Sequence, residues 1–309
     1  MIPAWTLADL PDQSGRTIVV TGPSVGGLGH HTALELTRRG ARVVLAGRSP
    51  AKLEATTAAI TVAVPGARVE RLHVDLADLG SVRAAVADAA GIGAIDVLVN
   101  NAGVMAPPLS RTVDGFESQM ATNHFGPFLL TGLLLPQLVA SGDGRVVVVS
   151  STVHRMARRA PLGDPATTPK HYQRWAQYGA TKLANLLFMY ELDRRLRTAG
   201  LPVTALAAHP GFAGTHLVVN GQLGRSSGGI ANIVDAATKA VSQSAADGAL
   251  PLLMAATADL PGATYCGPSG PFEGRGLPQV VGSSAQARDP EAQRALWELS
   301  ERAVGLSYP

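Results

Sequence analysis

Along most of the chain, short β-branched or apolar runs alternate with longer segments whose apolar residues return every three or four positions. The runs are residues 17–21, 42–46, 68–74, 95–100, 145–150 and 203–207, the strongest being Arg145 followed by four valines. The periodic segments are 28–39, 51–63, 81–90, 112–138 and 172–198; in the last, Leu183, Leu186, Leu187, Tyr190 and Leu196 share one side. Valine runs that do not alternate suit strands buried on both faces. Strands separated by helices of about a dozen residues predict an α/β chain, a doubly wound parallel sheet with helices on both faces. No composition shift or linker divides the pattern, so residues 1–309 are read as a single domain. Residues 155–171 interrupt it with arginine, proline and alanine and read as a loop. Stretches 220–229 and 267–284, rich in Gly, Ser and Pro, read as further mobile segments.

Composition narrows the picture. The chain has 309 residues, 46% of them hydrophobic, enough for a sizeable core. Lys and Arg number 26 against 23 Asp and Glu, and the arginines are scattered, so a nucleic-acid partner is not indicated. Residues 1–10 carry no basic segment before an apolar run and do not read as a signal peptide. The longest apolar stretch, 125–140, contains Gly126, Pro127 and Pro136 and is too short to span a bilayer. The expectation is a soluble, cytoplasmic protein without a membrane partner. The single Cys266 cannot form an internal disulfide and is read as a small buried filler. No His, Cys or Asp cluster suggests a metal site.

Three places carry candidate chemistry. Tyr178 and Lys182 lie one helical turn apart, on the same face. A neighbouring ammonium favours a phenolate, so a tyrosine pKa ordinarily about 10 should fall, giving a proton donor and acceptor near neutral pH. Ser150 and Ser151 close the valine run upstream, and a serine hydroxyl there can hold a carbonyl oxygen. Between the first strand and first helix lies a glycine turn, Thr21-Gly22-Pro23-Ser24-Val25-Gly26-Gly27-Leu28-Gly29. Missing side chains there let the backbone approach a pyrophosphate, and a helix N-terminus favours its charge. After the second strand, Ala46-Gly47-Arg48 has no acidic residue for a ribose 2′-hydroxyl, while Arg48 can pair with a 2′-phosphate. NADP is therefore favoured over NAD, with NAD still possible. His154 reads as a loop residue near the substrate, and His30-His31 as an exposed pair.

Taken in order, these motifs resemble the short-chain dehydrogenase/reductase family over residues 14–266. The set is the glycine turn, Asp75 after the third strand, Asn100-Asn101-Ala102-Gly103 after the fourth, and Asn123 in the following helix. Ser150-Ser151, the Tyr178 to Lys182 pair, and Pro210-Gly211 with Thr215 complete it. Thr32-Ala33-Leu34-Glu35-Leu36, Lys182-Leu183-Ala184-Asn185 and Tyr265-Cys266-Gly267-Pro268 look like its retinol dehydrogenase-like branch and bacterial relatives. The resemblance implies a single-domain Rossmann fold and the catalytic roles of four residues. Ser151 would hold the substrate oxygen, Tyr178 act as acid or base, Lys182 lower its pKa and bind the nicotinamide ribose, and Asn123 hold a water through a helix distortion. It also implies cofactor contacts: Gly22, Ser24, Gly27, Leu28 and Gly29 at the pyrophosphate, Arg48 at the ribose, Asp75 and Leu76 at the adenine. Asn101, Ala102 and Gly103 would line the adenosine side, and Pro210, Gly211 and Thr215 hold the carboxamide.

The chain departs from the family pattern in two places. Its glycine turn is one residue longer, whether the glycines are taken as Gly22, Gly27 and Gly29 or as Gly22, Gly26 and Gly29. Residues 155–171 lengthen the path from Ser151 to Tyr178. With residues 211–235 and the tail from 267, they would build the substrate pocket, where Trp175 and Phe212 suggest an apolar compound and the arginines of 155–159 an acidic one. The leading expectation is an NADP(H)-dependent oxidoreductase acting on a small carbonyl or alcohol substrate. The alternatives are a dinucleotide-binding regulator or scaffold without turnover and, against the Asn-Asn-Ala-Gly motif, an epimerase or dehydratase. Relatives often pair through the two long helices, and a homo-oligomer stays open.

Overall fold

The computed structural model describes residues 5–167, 171–212 and 243–309. Its centre is one eight-stranded sheet with the order β3-β2-β1-β4-β5-β6-β7-β8. The strands are β1 (Thr17–Thr21), β2 (Arg42–Gly47), β3 (Arg68–His73), β4 (Val97–Asn100), β5 (Gly144–Val149), β6 (Val203–Ala208), β7 (Tyr265–Pro268) and β8 (Pro278–Val280). All neighbours pair in parallel except β7 and β8. The order reverses between β1 and β4, the crevice where doubly wound sheets bind ligands beyond their strand ends.

The continuous valine runs have the cause expected of them. In β5, Val146 and Val148 face one apolar cluster and Val147 and Val149 the other, and all four are buried. One cluster is covered by α1 (Leu28–Arg38), α2 (Pro50–Ala63) and α7 (Ala245–Thr257). The other is covered by α3 (Leu79–Asp88), α5 (Gly126–Ala140), α6 (Arg174–Thr198) and α8 (Pro290–Val304). Edge strand β3 is mostly exposed and is held to β2 partly by Arg42, whose guanidinium donates to both Glu70 oxygens at 2.6 and 2.9 Å.

Helix starts follow local chemistry. Ser49 caps α2 with Pro50 in its first turn, and Asp78 caps α3 through Gly80 and Ser81. The helix expected over 112–138 is corrected. Residues 112–116 form a turn with Gly115 at φ 82°, and Glu117 caps a short α4 (Ser118–Met120) through the N–H groups of Gln119 and Met120. A π-helical stretch, Ala121–Phe125, then joins α4 to α5. The stretch read as mobile at 267–284 holds the end of β7 and all of β8, and the tail beyond it forms α8. Within that tail Asp289, Pro290 and Gly305 were readable start and stop signals.

Candidate active site

The glycine turn is stitched to the end of β4. The Thr21 hydroxyl accepts from the N–H groups of Asn101 (3.0 Å) and Ala102 (2.9 Å). The Asn101 amide returns bonds to the carbonyls of Thr21 (2.7 Å) and Gly22 (3.2 Å). Gly22 has φ 67°, and a Cβ there would lie 2.8 Å from Ala102 Cα. A Cβ on Gly29 would meet the Asn101 amide nitrogen at 2.6 Å. Gly26 has φ 76° and donates its N–H to His30 Nδ1 at 3.2 Å, while Gly27 is the extended N-cap of α1. Gly22, Gly26 and Gly29 therefore carry the steric demands of the longer turn, and Gly27 starts the helix. First-turn N–H groups lack intrahelical partners, so a turn of this shape fits a pyrophosphate. Leu28 is buried beneath it and Ser24 is exposed at its rim, its carbonyl accepting from Gly27 N–H at 2.9 Å. The His30-His31 pair is not exposed as expected: His30 is buried, with His31 half-buried beside it.

Arg48 follows β2, is exposed, and makes no ion pair among the described residues. Its carbonyl accepts from His73 Nε2 at 3.1 Å. Asp75 closes the turn after β3, taking the Ala77 N–H at 2.9 Å and giving its own to Ser81 Oγ at 2.9 Å. Leu76 is buried, and its carbonyl abuts Gly126 so closely that no side chain fits at Gly126.

The four candidate catalytic residues come together beyond β4 and β5. Asn123 sits inside the π-helical stretch, the distortion expected there. Its Oδ1 accepts from Val104 N–H at 2.7 Å, and its Nδ2 donates to Val104 O (2.9 Å) and Thr181 Oγ1 (3.0 Å). Gly103 packs against it: a Cβ there would lie 3.0 Å from Asn123 Oδ1 and 3.7 Å from Lys182 Nζ. Lys182 Nζ donates to Val149 O at 3.1 Å, which also accepts from Asn185 at 3.0 Å, and lies 5.6 Å from the centre of the Tyr178 ring. Ser151 follows β5 as the cap of a short 3₁₀ helix, Thr152–Met156; its hydroxyl accepts from Val153 N–H at 3.4 Å and lies close enough to Tyr178 to favour the phenolate.

Electrostatics corrects the expected direction for the phenol. Burial pushes Tyr178 up to about 12, and the neighbouring Ser151 hydroxyl only partly opposes it. The same burial brings Lys182 down to about 8. The ammonium lies over the ring rather than against the hydroxyl, so desolvation dominates both groups.

Pro210 and Gly211 follow β6. Gly211 has φ 64° and lies so close to the carbonyls of Glu273 and Gly274 that a Cβ would clash. Phe212 N–H donates to Gly274 O at 2.8 Å, and Gln243 Nε2 to Pro210 O at 2.7 Å. Thr215 and most of 211–235 lie outside the described residues. His154 is wholly buried, correcting its reading as a pocket loop residue. Thr21, Thr181 and Asn185 were missed as supports. Asn185, on a helix face with Tyr178 and Lys182, and Thr181, on one with Tyr178, had a signal, and Thr21 opened the glycine motif. Cys266 is buried as read, and burial holds its thiol up at about 12. Among the described residues no cluster could hold a metal, and no helix is long and apolar enough to cross a membrane.

Comparison with known proteins extends these observations. The family profile described as short chain dehydrogenase matches residues 16–162. Retinol dehydrogenase 13 of Homo sapiens is 37% identical over 300 residues, 96% of this chain and 86% of that protein. Retinol dehydrogenase 12 of Homo sapiens is 42% identical over 210 residues, spanning 68% of this chain and 65% of that protein. Among solved structures, an uncharacterized protein from Mycobacterium Paratuberculosis is similar with TM-score 0.80 and 43% identity, over 99% of this chain and 100% of that one. A short chain dehydrogenase from Shigella flexneri 2a str. 301, complexed with NADP, shares the fold at 23% identity and TM-score 0.63, over 83% of this chain and 98% of that one.

Proposed function

Because the chain belongs to the short-chain dehydrogenase family, in its retinol dehydrogenase-like branch, we propose that it interconverts a carbonyl and an alcohol on a small apolar substrate with NADP(H). The observation that carries this reading is the meeting of Tyr178, Ser151, Lys182 and Asn123 beside a glycine cradle. The nicotinamide, when bound, supplies or accepts the hydride. Ser151 donates a hydrogen bond to the substrate oxygen. In reduction Tyr178 gives its proton to that oxygen; in oxidation its phenolate takes the proton. Lys182 places a buried ammonium 5.6 Å from the centre of the ring, so that the phenolate formed during turnover faces a positive charge although burial holds the resting phenol up. Asn123 holds the backbone of Val104 and the Thr181 hydroxyl, fixing the wall behind the pair.

Arg48, exposed where an acidic residue would select NAD, supports NADP, as does the NADP carried by the Shigella protein of the same fold. An apolar substrate is supported by Trp175, whose ring centre is 6.2 Å from that of Tyr178, and by the exposed Met156 and Phe212. Arg155 is already engaged by Glu273, which removes one of the charges that would favour an acidic substrate.

The test is direct titration with NADPH and NADH, followed by a panel of aldehydes and ketones monitored by NADPH absorbance. Tighter NADPH binding is expected; equal or tighter NADH binding overturns the role of Arg48. Tyr178→Phe should lose about 10²–10⁴-fold in turnover and bind NADPH as before; retained turnover removes Tyr178 from the mechanism. The longer glycine turn favours one second reading, a dinucleotide-binding regulator, which predicts NADPH binding with no turnover across the panel.

A further inference from the structure

Beyond the catalytic group lies a second polar cluster, partly exposed at its charged members, that links two walls of the site to the segment between β7 and α8. Glu273 is its hub. Its Oε2 accepts from Arg155 at 3.0 Å and lies 3.1 Å from His209 Nε2, an electrostatic contact outside hydrogen-bond geometry, while its Oε1 accepts from Arg155 at 2.9 Å. Arg155 also donates to Gly282 O at 2.7 Å.

Two fully buried imidazoles run parallel to this hub. His209 Nδ1 faces the Gly211 N–H at 3.2 Å. An amide can only donate, so Nδ1 is the acceptor and the ring proton sits on Nε2, toward Glu273. His154 has the opposite tautomer: Nε2 accepts from Ser284 N–H at 3.1 Å, so Nδ1 donates to Ser151 O at 2.7 Å. Each ring thus meets a site wall with one nitrogen and the 273–284 segment with the other, His154 by hydrogen bonds on both sides and His209 by its 3.1 Å approach to Glu273. The ring of Tyr265 fills the space between them, 5.8 Å from His154 and 5.1 Å from His209.

The backbone at the hub is unusual. Phe272 and Glu273 both take left-handed φ, 54° and 55°, a conformation that costs non-glycine residues free energy and persists only where surroundings enforce it. The Phe272 side chain is 90% exposed and so does little of the enforcing. The turn is held by the carboxylate's pairing with Arg155 and its close approach to His209, by the Phe212 to Gly274 backbone bond, and by the turn's own bonds from Glu273 N–H to Gly270 O and Gly274 N–H to Pro271 O, both 3.0 Å.

We propose that Glu273 is a positioning residue for the site, setting the Ser151 loop through Arg155 and the Pro210-Gly211 turn through His209. The inference rests on the function proposed above for what the two walls do, and on the ligand-free chain for how they are held. Amide hydrogen exchange of the ligand-free protein reads the clamp. In Glu273→Gln, the amides of Gly211 and Phe212 and those of His154 and Ala157 should exchange faster together, by about tenfold, the factor set by loss of one charge-assisted bond. The amides of β1 and α1 should not change. Arg155→Gln, at a partly exposed side chain, should loosen His154 and Ala157 alone and serves where Glu273→Gln fails to fold. Glu273→Asp should restore part of the protection. Faster exchange confined to residues 270–276 in Glu273→Gln, or none at His154 and Ala157 in Arg155→Gln, overturns the proposal. A parallel NADPH titration separates this from the functional reading. Failure of the wild-type chain to bind NADPH removes that reading, whereas an unchanged dissociation constant in a loosened Glu273→Gln chain overturns positioning.

Discussion

Lys182 is 4% exposed, and among the described residues its charge is offset by the Val149 carbonyl and the Tyr178 ring. Such a lysine is costly to keep protonated. Its folded pKa, about 8, lies below the ordinary 10.5 because of burial. Between those values the unfolded chain binds more protons, so stability rises with pH across that window, by roughly 3 kcal/mol. Tyr178 has the opposite sign. Its folded pKa of about 12 exceeds the unfolded 10.0, so its contribution falls as pH passes from 10 to 12. Urea unfolding at pH 7.5 and pH 9.5 in Lys182→Met and wild type should show the rise only in wild type; an equal rise in both would mean the ammonium is not desolvated as described. Arg48 allows a sharper ligand test at this scale. Arg48→Ala should weaken NADPH binding by about tenfold or more, the loss of one paired phosphate contact, and leave NADH unaffected. Equal weakening of both would assign Arg48 to something other than the 2′-phosphate.

At the scale of elements, the π-helical stretch decides where Asn123 points. Its side chain makes three bonds, two of them to the backbone of Val104. Asn123→Ala should cost about 1–3 kcal/mol in chemical denaturation, because the half-buried Val104 amide and carbonyl lose their partner; a loss below about 0.5 kcal/mol would show that water replaces it. The elements also show what the sequence made legible. Strands β1, β2 and β5 announced themselves because valines on successive positions are buried on both faces. The glycine turn was legible as a motif, but the separate duties of Gly26 and Gly27 were not, because φ 76° at Gly26 is visible only in the backbone. The helix over 112–138 was read too long because its apolar pattern begins before its cap; Gly115 and Glu117 carried the start signal. Helix α7 contains Pro251, which speaks against a helix in isolation and is tolerated here in a buried face. The lowered phenol pKa was argued from helix spacing alone. Spacing fixes a shared face, not the depth of burial, and burial reverses the sign.

Across the whole molecule, α8 decides which surface remains available to another copy. Trp297 lies in the face formed by α5 and α6, 5.0 Å from the Phe128 ring and 6.0 Å from Phe188, with Arg195 over it at 4.5 Å. Beyond α8, Tyr308 covers Gly132, where a Cβ would be 2.6 Å from its ring, and its hydroxyl donates to Phe128 O at 3.1 Å. His124, in the π-helical stretch, is tied to Ser300 of α8 at 2.8 Å, and burial holds that imidazole down at about 3. The face of α5 and α6 that carries Phe128 and Phe188 is therefore covered by residues 290–309 of the same chain. Light scattering should give the 31.8 kDa monomer mass. Trp297→Ala should cost about 3–5 kcal/mol, as for other large buried rings. Deleting residues 290–309 should uncover the apolar face of Phe128 and Phe188 and drive association, since a patch of that kind is rarely left exposed on a monomer. A full-length dimer, or a folded truncation that stays monomeric, would show that α8 does not govern that face.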